Sequence, residues 1–149
     1  MDIVETFDVA APAPTVWSVI ADVERWPTWT DSISEVRITS EPGPDGELGV
    51  GGTARVKQPR MPELTWTVGE WEAGRSFTWS SSGGGLRTDG VHSVEPTGAG
   101  TSRVTLAIHQ RGALDGVMRL LFGKTFRRYV AMEAAGLTRR SEELAGRVG

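Results

Sequence analysis

The C-terminal part of the chain carries the pattern that most restricts how this sequence can fold. From Leu114 to Leu144 there is no proline, and apolar residues recur at intervals of three and four. This spacing predicts one long amphipathic helix, because residues so spaced share one face of a helix. A helix of this length can bury an apolar face only against another layer of structure. The face comprises Leu114, Met118, Leu121, Phe122, Tyr129, Met132 and Leu137.

The residues that precede this helix alternate between apolar and polar, which is typical of half-buried β-strands. Seven such segments are present, and most are joined by turns of hairpin length, so we predict an antiparallel sheet. Proline and small residues after the first segment predict a short helix that ends near Asp22, followed at 26–29 by a second short helical segment or a tight bend. The strand segments are 3–9, 33–39, 53–57, 64–70, 77–79, 86–95 and 103–110.

The composition is that of one globular domain spanning residues 1–149. Hydrophobic residues make up 38% of the chain and charged residues 23%, which is typical of a chain with a packed core. The formal net charge of −3 argues against nucleic acid as a partner, because phosphate binding requires a basic surface. No apolar run reaches the roughly 20 residues needed to span a bilayer, and the first residues lack the pattern of a signal peptide. We therefore expect a cytoplasmic protein without a membrane span.

Several kinds of site are excluded by the residue types present. The chain has no cysteine, which excludes disulfides, thiolate metal sites and cysteine nucleophiles. Its two histidines, His92 and His109, fall on opposite faces of their strands, so we expect no metal site. The stretch SSGGGL at 81–86 lacks the lysine and the following helix of a phosphate-binding loop. We therefore expect neither a metal nor a cofactor.

The simplest α+β arrangement of these elements lays the long helix across the sheet. A twisted sheet of seven strands curls, so we expect a gap between its concave face and the helix. The two short helical segments between the first two strands would close one end of that gap. Trp26 and Trp29 flank Pro27 in this region, where their bulk suits the end wall of a cavity.

Three stretches of the chain carry recognisable motifs: VAAPAPTVWSVIADVERWPTW at 9–29, GVHSVEPTGAGTSRVTL at 90–106, and RGALDGVMRLLFGKTFRRYVAMEAAGLTRRSEEL at 111–144. With them the chain resembles the START-like, or SRPBCC, superfamily, and most closely its polyketide cyclase/dehydrase-like branch. The order of elements matches over essentially the whole chain. The resemblance implies a helix-grip (Bet v 1-like) fold with a hydrophobic cavity between sheet and helix. It also implies lipids, hormones, polyketides or other apolar molecules as ligands, and chemistry in some members.

Alternation along the strands places a set of mostly apolar side chains on the concave face, and these are the candidate ligand-binding residues. The alternative is that they pack on one another, because periodicity does not distinguish a core from a cavity wall. Together with residues of the long helix and of the end wall, the candidates are Trp29, Trp66, Val68, Phe77, Trp79, Thr88, His92, Leu106, Met118, Phe122 and Tyr129.

Three polar residues are candidates for chemistry in the gap. In the alternating pattern of its strand, His92 falls on the inward-facing side, where an imidazole could act as acid or base near neutral pH. The alternative is a neutral, hydrogen-bonded histidine. Glu5 lies among apolar residues, so we expect that its pKa is raised or that it has a partner, unless it reaches water at the start of its strand. The Tyr129 hydroxyl could bind a ligand carbonyl or remain hydrated.

Three functions are compatible with the sequence. The first is binding of a hydrophobic small molecule, such as a lipid, an aromatic compound or a polyketide, in the internal cavity. The second is a polyketide cyclase or dehydratase in which His92 removes an α-proton while Tyr129 or Glu5 donates to the carbonyl oxygen. The third is a protein-interaction module, which requires an exposed apolar patch that the alternating faces do not show. The identity of the ligand and the oligomeric state stay open.

Overall fold

The computed structural model describes residues 1–148 and contains a seven-stranded antiparallel sheet in the order β1-β7-β6-β5-β4-β3-β2. This confirms the predicted sheet, and each predicted segment lies within or overlaps one strand. The fifth and sixth strands are longer than predicted, because their ends are built from serine, threonine, glycine and proline and carry no apolar alternation. The strands are β1 (Asp2–Val9), β2 (Glu35–Ile38), β3 (Thr53–Lys57), β4 (Leu64–Glu72), β5 (Ser76–Gly83), β6 (Leu86–Gly98) and β7 (Thr101–Arg111).

The hairpin between β5 and β6 turns at two glycines. Gly84 and Gly85 have φ values of 60° and 80°, which glycine adopts without a steric penalty. Two consecutive residues of positive φ suit the two-residue hairpin turn whose twist matches that of the strands. The glycine-rich stretch is therefore a tight turn between paired strands.

Two short helical segments connect β1 to β2, as the sequence predicts. Helix α1 (Ala13–Ala21) carries Pro14 in its first turn, where the missing N–H would have no partner in any case. A 3-10 helix follows at Val23–Thr28 and contains both Trp26 and Pro27. The two segments place Trp26 inside the molecule, with its side chain almost fully buried.

The long helix α2 (Asp115–Val148) is continuous, but its second half is packed more closely than its first. In residues 129–141 the buried side chains lie three and four apart, whereas in residues 115–128 only Gly123 is buried. In its first half the predicted apolar face is wrong for Leu114 and Leu121, which are 45% and 64% exposed, whereas Met118 and Phe122 of that face are half-buried. An exposed apolar patch is present after all, because little of the protein packs against this half of the helix. The buried residues of the second half are Tyr129, Val130, Ala134, Gly136, Leu137 and Ser141.

The packed half of α2 lies against the segment that follows the 3-10 helix. A side chain at Gly136 would overlap the carbonyl oxygen of Trp29, so glycine permits this approach. Arg139 Nη2 donates a hydrogen bond to the same oxygen at 3.2 Å. The indole of Trp29 in turn lies 6.1 Å from that of Trp26, measured between ring centroids. The two tryptophans thus join the helix to the end of the sheet.

Candidate functional site

A small cavity remains between the concave face of the sheet and the packed half of α2, and we call it the inner cavity. Its volume is about 50 Å³, enough for a few water molecules and well below the roughly 300 Å³ of an ordinary ligand pocket. Large inward-facing rings occupy most of the space that the curvature of the sheet leaves. The walls include aromatic Trp26, Trp66 and Trp79, aliphatic Ile33, Val56, Leu106, Ile108 and Val130, and polar Gln58, His92 and Glu133.

The imidazole of His92 lies within a cluster of aromatic rings. It stacks on Phe77, with ring centroids 4.4 Å apart and planes inclined by 16°. The ring of Trp26 lies 5.0 Å away, and that of Trp79 stands perpendicular to the imidazole at 5.8 Å. Trp26 is itself held by a hydrogen bond of 3.1 Å from its Nε1 to the carbonyl oxygen of Ile20. These contacts hold His92 in one orientation.

The register of the sheet explains this cluster. In β6, His92 pairs with Phe77 of β5 on one side and with Leu106 of β7 on the other. Two residues earlier, Gly90 pairs with Trp79. A Cβ atom on Gly90 would lie 3.0 Å from Trp79 Nε1, so the absence of a side chain there makes room for the indole beside the imidazole.

Burial determines the charge of His92. Loss of water around the ring lowers its pKa to about 4, because burial disfavours the charged form. The imidazole is therefore neutral at pH 7. The backbone of Phe77 lies near enough to the imidazole to oppose part of this lowering of the pKa. The Nδ1 atom is nevertheless buried without a hydrogen bond of ordinary geometry among residues 1–148, and buried polar atoms are usually paired. The ring can accept or donate one more hydrogen bond to a molecule in the inner cavity.

Glu133 of α2 faces the same cavity, and the sequence analysis did not single it out. The residue as a whole is half-buried, but its carboxyl group is shielded from water, which raises its pKa to about 7, so a substantial fraction of the carboxyl groups is protonated at neutral pH. A signal was present in the sequence. Glu133 lies four residues after Tyr129 and four before Leu137, both on the predicted apolar face. A carboxylate at that spacing points toward the sheet.

Of the candidate ligand-binding residues, four line the inner cavity: Trp66, Trp79, His92 and Leu106. Phe77 and Val68 are fully buried behind this lining. Trp29 lies against Gly136, outside the cavity. The structure therefore brings together the aromatic and histidine candidates of the sheet.

The remaining candidates are engaged elsewhere. The Tyr129 hydroxyl donates a 2.7 Å hydrogen bond to the carbonyl oxygen of Pro59, which links α2 to the loop between β3 and β4. The Thr88 hydroxyl accepts a bond of 3.1 Å from the side-chain amide of Gln110. Met118 and Phe122 lie in the first half of α2 and are half-buried.

Glu5 shares the concave face but lies apart from the cavity. It is half-buried and pairs with Leu106, which pairs with His92 on the next strand. Neighbouring strands are about 4.8 Å apart, so two strand spacings separate the backbones at Glu5 and His92. Of the three polar candidates, the structure places only His92 on the cavity wall.

Among residues 1–148, no cluster of three or more histidine, aspartate or glutamate side chains is arranged to hold a metal ion. Within the same range, no helix combines the length and the apolar character needed to cross a bilayer.

Solved structures share this architecture at low sequence identity. The Zhui aromatase/cyclase from Streptomyces sp. R1128 is 19% identical with a TM-score of 0.75, over 95% of this chain and 93% of that one. A START superfamily protein from Mycobacterium smegmatis is 16% identical with a TM-score of 0.71, over 99% of both chains. Norcoclaurine synthase from Thalictrum flavum, solved with dopamine and hydroxybenzaldehyde, is 15% identical with a TM-score of 0.71, over 96% of this chain and 87% of that one. These likenesses show the fold, in which a curved sheet grips a long C-terminal helix.

Comparison at the level of sequence gives the family. None of the curated proteins compared with the chain matches it in sequence. Residues 1–142 match the family described as polyketide cyclase / dehydrase and lipid transport, which is nearly the whole length. The chain therefore belongs to the polyketide cyclase / dehydrase and lipid transport family.

Proposed function

We propose that the protein binds a small, mostly apolar molecule in the inner cavity, with His92, Glu133 and Gln58 as its polar anchors. The observation that carries this proposal is the buried, unpaired Nδ1 atom of His92 in the cavity wall. An unpaired buried polar atom destabilises the protein unless something bonds to it. A ligand with one hydroxyl or carbonyl group would supply that bond, and its apolar part would contact the tryptophan rings.

The volume of the cavity limits the ligand. At about 50 Å³ the cavity accepts only a few atoms, so a ligand with an aromatic ring requires the walls to move apart. Residues 115–128 of α2 are the loosest neighbouring element, because only Gly123 is buried there. Segments with few buried contacts open at a low cost in free energy. We infer that this half of α2 moves when a ring-sized ligand enters.

Phenol is a suitable probe, because it combines one aromatic ring with one hydroxyl group. Three of the six tryptophans line the cavity, so binding should quench tryptophan fluorescence in a saturable way. His92→Phe keeps a flat ring and removes both nitrogens, and it should weaken phenol binding by about fivefold, the value of one hydrogen bond. His109→Phe, on the opposite face, is the matched control and should bind phenol normally. Quenching that does not saturate, or an equal loss in both variants, would contradict the proposal.

The second candidate function is proton-transfer catalysis, as in a cyclase or dehydratase. It is favoured by the opposite pKa shifts of two groups in one cavity: His92 is lowered to about 4 and Glu133 is raised to about 7. A neutral imidazole can accept an α-proton while a protonated carboxyl donates to the carbonyl oxygen. Glu133 takes the donor role considered for Tyr129 and Glu5, because neither of those faces the cavity.

Exchange of the α-protons of acetone in D₂O tests this chemistry without knowledge of the natural substrate. The C–H bond breaks with transfer of its proton to His92, while the carbonyl oxygen receives a proton from Glu133. The imidazolium exchanges its proton with D₂O and delivers a deuteron to the carbon of the enol, whose hydroxyl returns its proton to Glu133. The rate should be highest between about pH 4 and pH 7, where His92 is neutral and Glu133 is protonated. NMR should show loss of this rate in Glu133→Gln and its retention in His109→Phe. A rate equal to that of buffer alone would leave the binding function without catalysis.

We also propose that residues 1–149 act as one START-like unit. The family match over residues 1–142 supports this proposal. The pairing of β1 with β7 supports it as well, because it joins the first strand to the last. Limited proteolysis should then give a single protected fragment that contains both strands, and two separately stable fragments would contradict it.

A further inference from the structure

The first half of α2 carries an exposed apolar surface that the inner cavity does not use. Val117, Leu120 and Leu121 are 52%, 85% and 64% exposed, and Leu114, just before the helix, is 45% exposed. Large aliphatic side chains with this exposure are costly in water when they cluster. They are grouped in the first two turns of one helix, which sets this surface apart from scattered exposed residues.

Three basic residues continue the same face of the helix. Lys124 follows Leu120 and Leu121 by four and three residues, and Arg127 and Arg128 come three and four residues later. Residues so spaced lie on one side of a helix. Phe122 and Phe126, which are partly buried, lie on the other side. We call the six exposed residues Val117, Leu120, Leu121, Lys124, Arg127 and Arg128 the outer helix face.

The charge of this segment is opposite to that of the whole molecule. Residues 116–132 contain four basic residues and no acidic one, although the chain has a net charge of −3. Among residues 1–148, the cations Arg119, Lys124, Arg127 and Arg128 form no ion pair. Their positive charge is therefore available to an external anion.

We propose that the outer helix face docks the protein on the surface of a lipid bilayer that contains anionic lipids. The aliphatic tip enters the boundary between headgroups and acyl chains, and the cations one to two turns later contact the phosphates and carboxylates of the headgroups. This order, apolar first and basic behind, matches the order of layers in a bilayer. A protein partner fits less well, because leucine and valine are under-represented among the anchoring residues of protein interfaces.

Sedimentation with phospholipid vesicles tests this proposal on the whole protein. Vesicles of phosphatidylcholine with about 30 mol% phosphatidylserine should carry the protein down, and vesicles of phosphatidylcholine alone should do so far less. Binding should also fall as salt is raised, because the headgroup charges are then screened. The result does not depend on the ligand of the inner cavity, so it stands or falls separately from the proposed function.

One pair of variants isolates the contribution of charge. Lys124→Gln, Arg127→Gln and Arg128→Gln together should weaken binding to the anionic vesicles on the order of 100-fold, since each cation near such a surface contributes about fivefold. Arg37→Gln, Lys57→Gln and Arg147→Gln change the net charge equally. Because these three residues are exposed elsewhere, this control should change binding less than about threefold.

A second pair isolates the contribution of the aliphatic tip. Leu120→Ser with Leu121→Ser should weaken vesicle binding at least about tenfold, since each buried leucine contributes strongly to partition. Val4→Ser with Val50→Ser removes apolar side chains of comparable exposure, 58% and 69%, at other places and should bind normally. All four positions are exposed, so the variants should fold.

Several results would overturn the proposal. These are failure of the parent protein to sediment with anionic vesicles, equal binding to neutral vesicles, and equal losses in a variant and its control. Analytical ultracentrifugation tests whether the outer helix face instead binds a second copy of the chain. A dimer that is abolished by Leu120→Ser with Leu121→Ser, without vesicle binding, would assign the face to self-association instead.

Discussion

His92 and Glu133 approach one cavity from opposite layers of the fold, and each is shifted away from its usual charge. The imidazole comes from β6 and the carboxyl from α2. Burial acts on both in the same physical way, by disfavouring the charged form. Burial lowers the pKa of His92, which is charged when protonated, and raises the pKa of Glu133, which is charged when deprotonated. At neutral pH the cavity therefore holds a neutral imidazole and a carboxyl group of which a substantial fraction is protonated.

Replacing Glu133 by glutamine should change how stability depends on pH. The folded-state pKa of about 7 lies above the reference value of 4.5, so the stability that this group contributes is complete below pH 4.5 and is lost as pH rises through 7. The Gln variant lacks that loss. Between about pH 5 and pH 8, its free energy of unfolding should rise by about 2 kcal/mol relative to that of the parent protein, as measured by urea unfolding.

Replacing His92 by phenylalanine should change the pH dependence of stability in the opposite direction. The pKa of His92 falls from 6.5 to about 4 on folding, so its contribution is present above pH 6.5 and is lost as pH falls through 4. The Phe variant should become more stable than the parent by about 3 kcal/mol on going from about pH 7 to pH 4. His109→Phe is the control and should not reproduce this gain. Parallel curves for parent and both cavity variants would show that neither group is buried in solution.

At the scale of elements, α2 is one helix with two environments. Its second half is packed so closely against Trp29 that Gly136 admits no side chain. Its first half buries only Gly123 among residues 115–128. The two glycines sit in the interior of the same helix, so their replacement by alanine has the same intrinsic effect on helix formation. Any difference between them measures the packing.

Gly136→Ala should destabilise the protein although alanine favours helices. The added methyl group overlaps the carbonyl oxygen of Trp29, and overpacking of this kind costs about 1–3 kcal/mol. Gly123→Ala is the matched control, since the nearest atom to its new Cβ would be 3.7 Å away. It should stabilise the protein by about 0.5–1 kcal/mol. Urea midpoints of the two variants that move in the same direction would contradict the packing described here.

At the scale of the whole molecule, α2 packs more closely against one side of the sheet than against the other. Helix α2 contacts β1, β7 and α1, while the inner cavity extends toward β3 and β4 through Val56 and Trp66. The link on that side is the hydrogen bond from the Tyr129 hydroxyl to Pro59. Beyond Tyr129, toward its N-terminal end, the helix is loosely packed.

Hydrogen exchange should reveal this division. Backbone amides of residues 118–128 should exchange at least about tenfold faster than those of residues 130–141, because local opening costs less where few side chains are buried. Mass spectrometry of peptides from the two halves measures both rates in one experiment. Equal protection along α2 would show that the helix opens as one unit and would remove the entry route proposed for ring-sized ligands.

The apolar and polar patterns formed by residues close together in the sequence were sufficient to predict the order of strands and helices and the resemblance to a family. The alternation in β7 and the spacing from Tyr129 to Leu137 each depend on a few consecutive residues, so strands, helices and their types could be predicted. The ends of β5 and β6 could not, because Ser82 and Pro96 belong to strands only through their pairing with Arg87 and Ser102.

The sequence by itself determined the seven strands, the long helix, the inward parity of His92 and the resemblance to the START-like superfamily. Only the tertiary structure decided that the inner cavity is about 50 Å³, that Glu133 faces it, and that the first half of α2 stays uncovered. The physical reason is distance along the chain. Periodicity is set by adjacent residues, whereas burial, pKa and free volume are set by contacts such as that between Trp29 and Gly136, which lie more than a hundred residues apart.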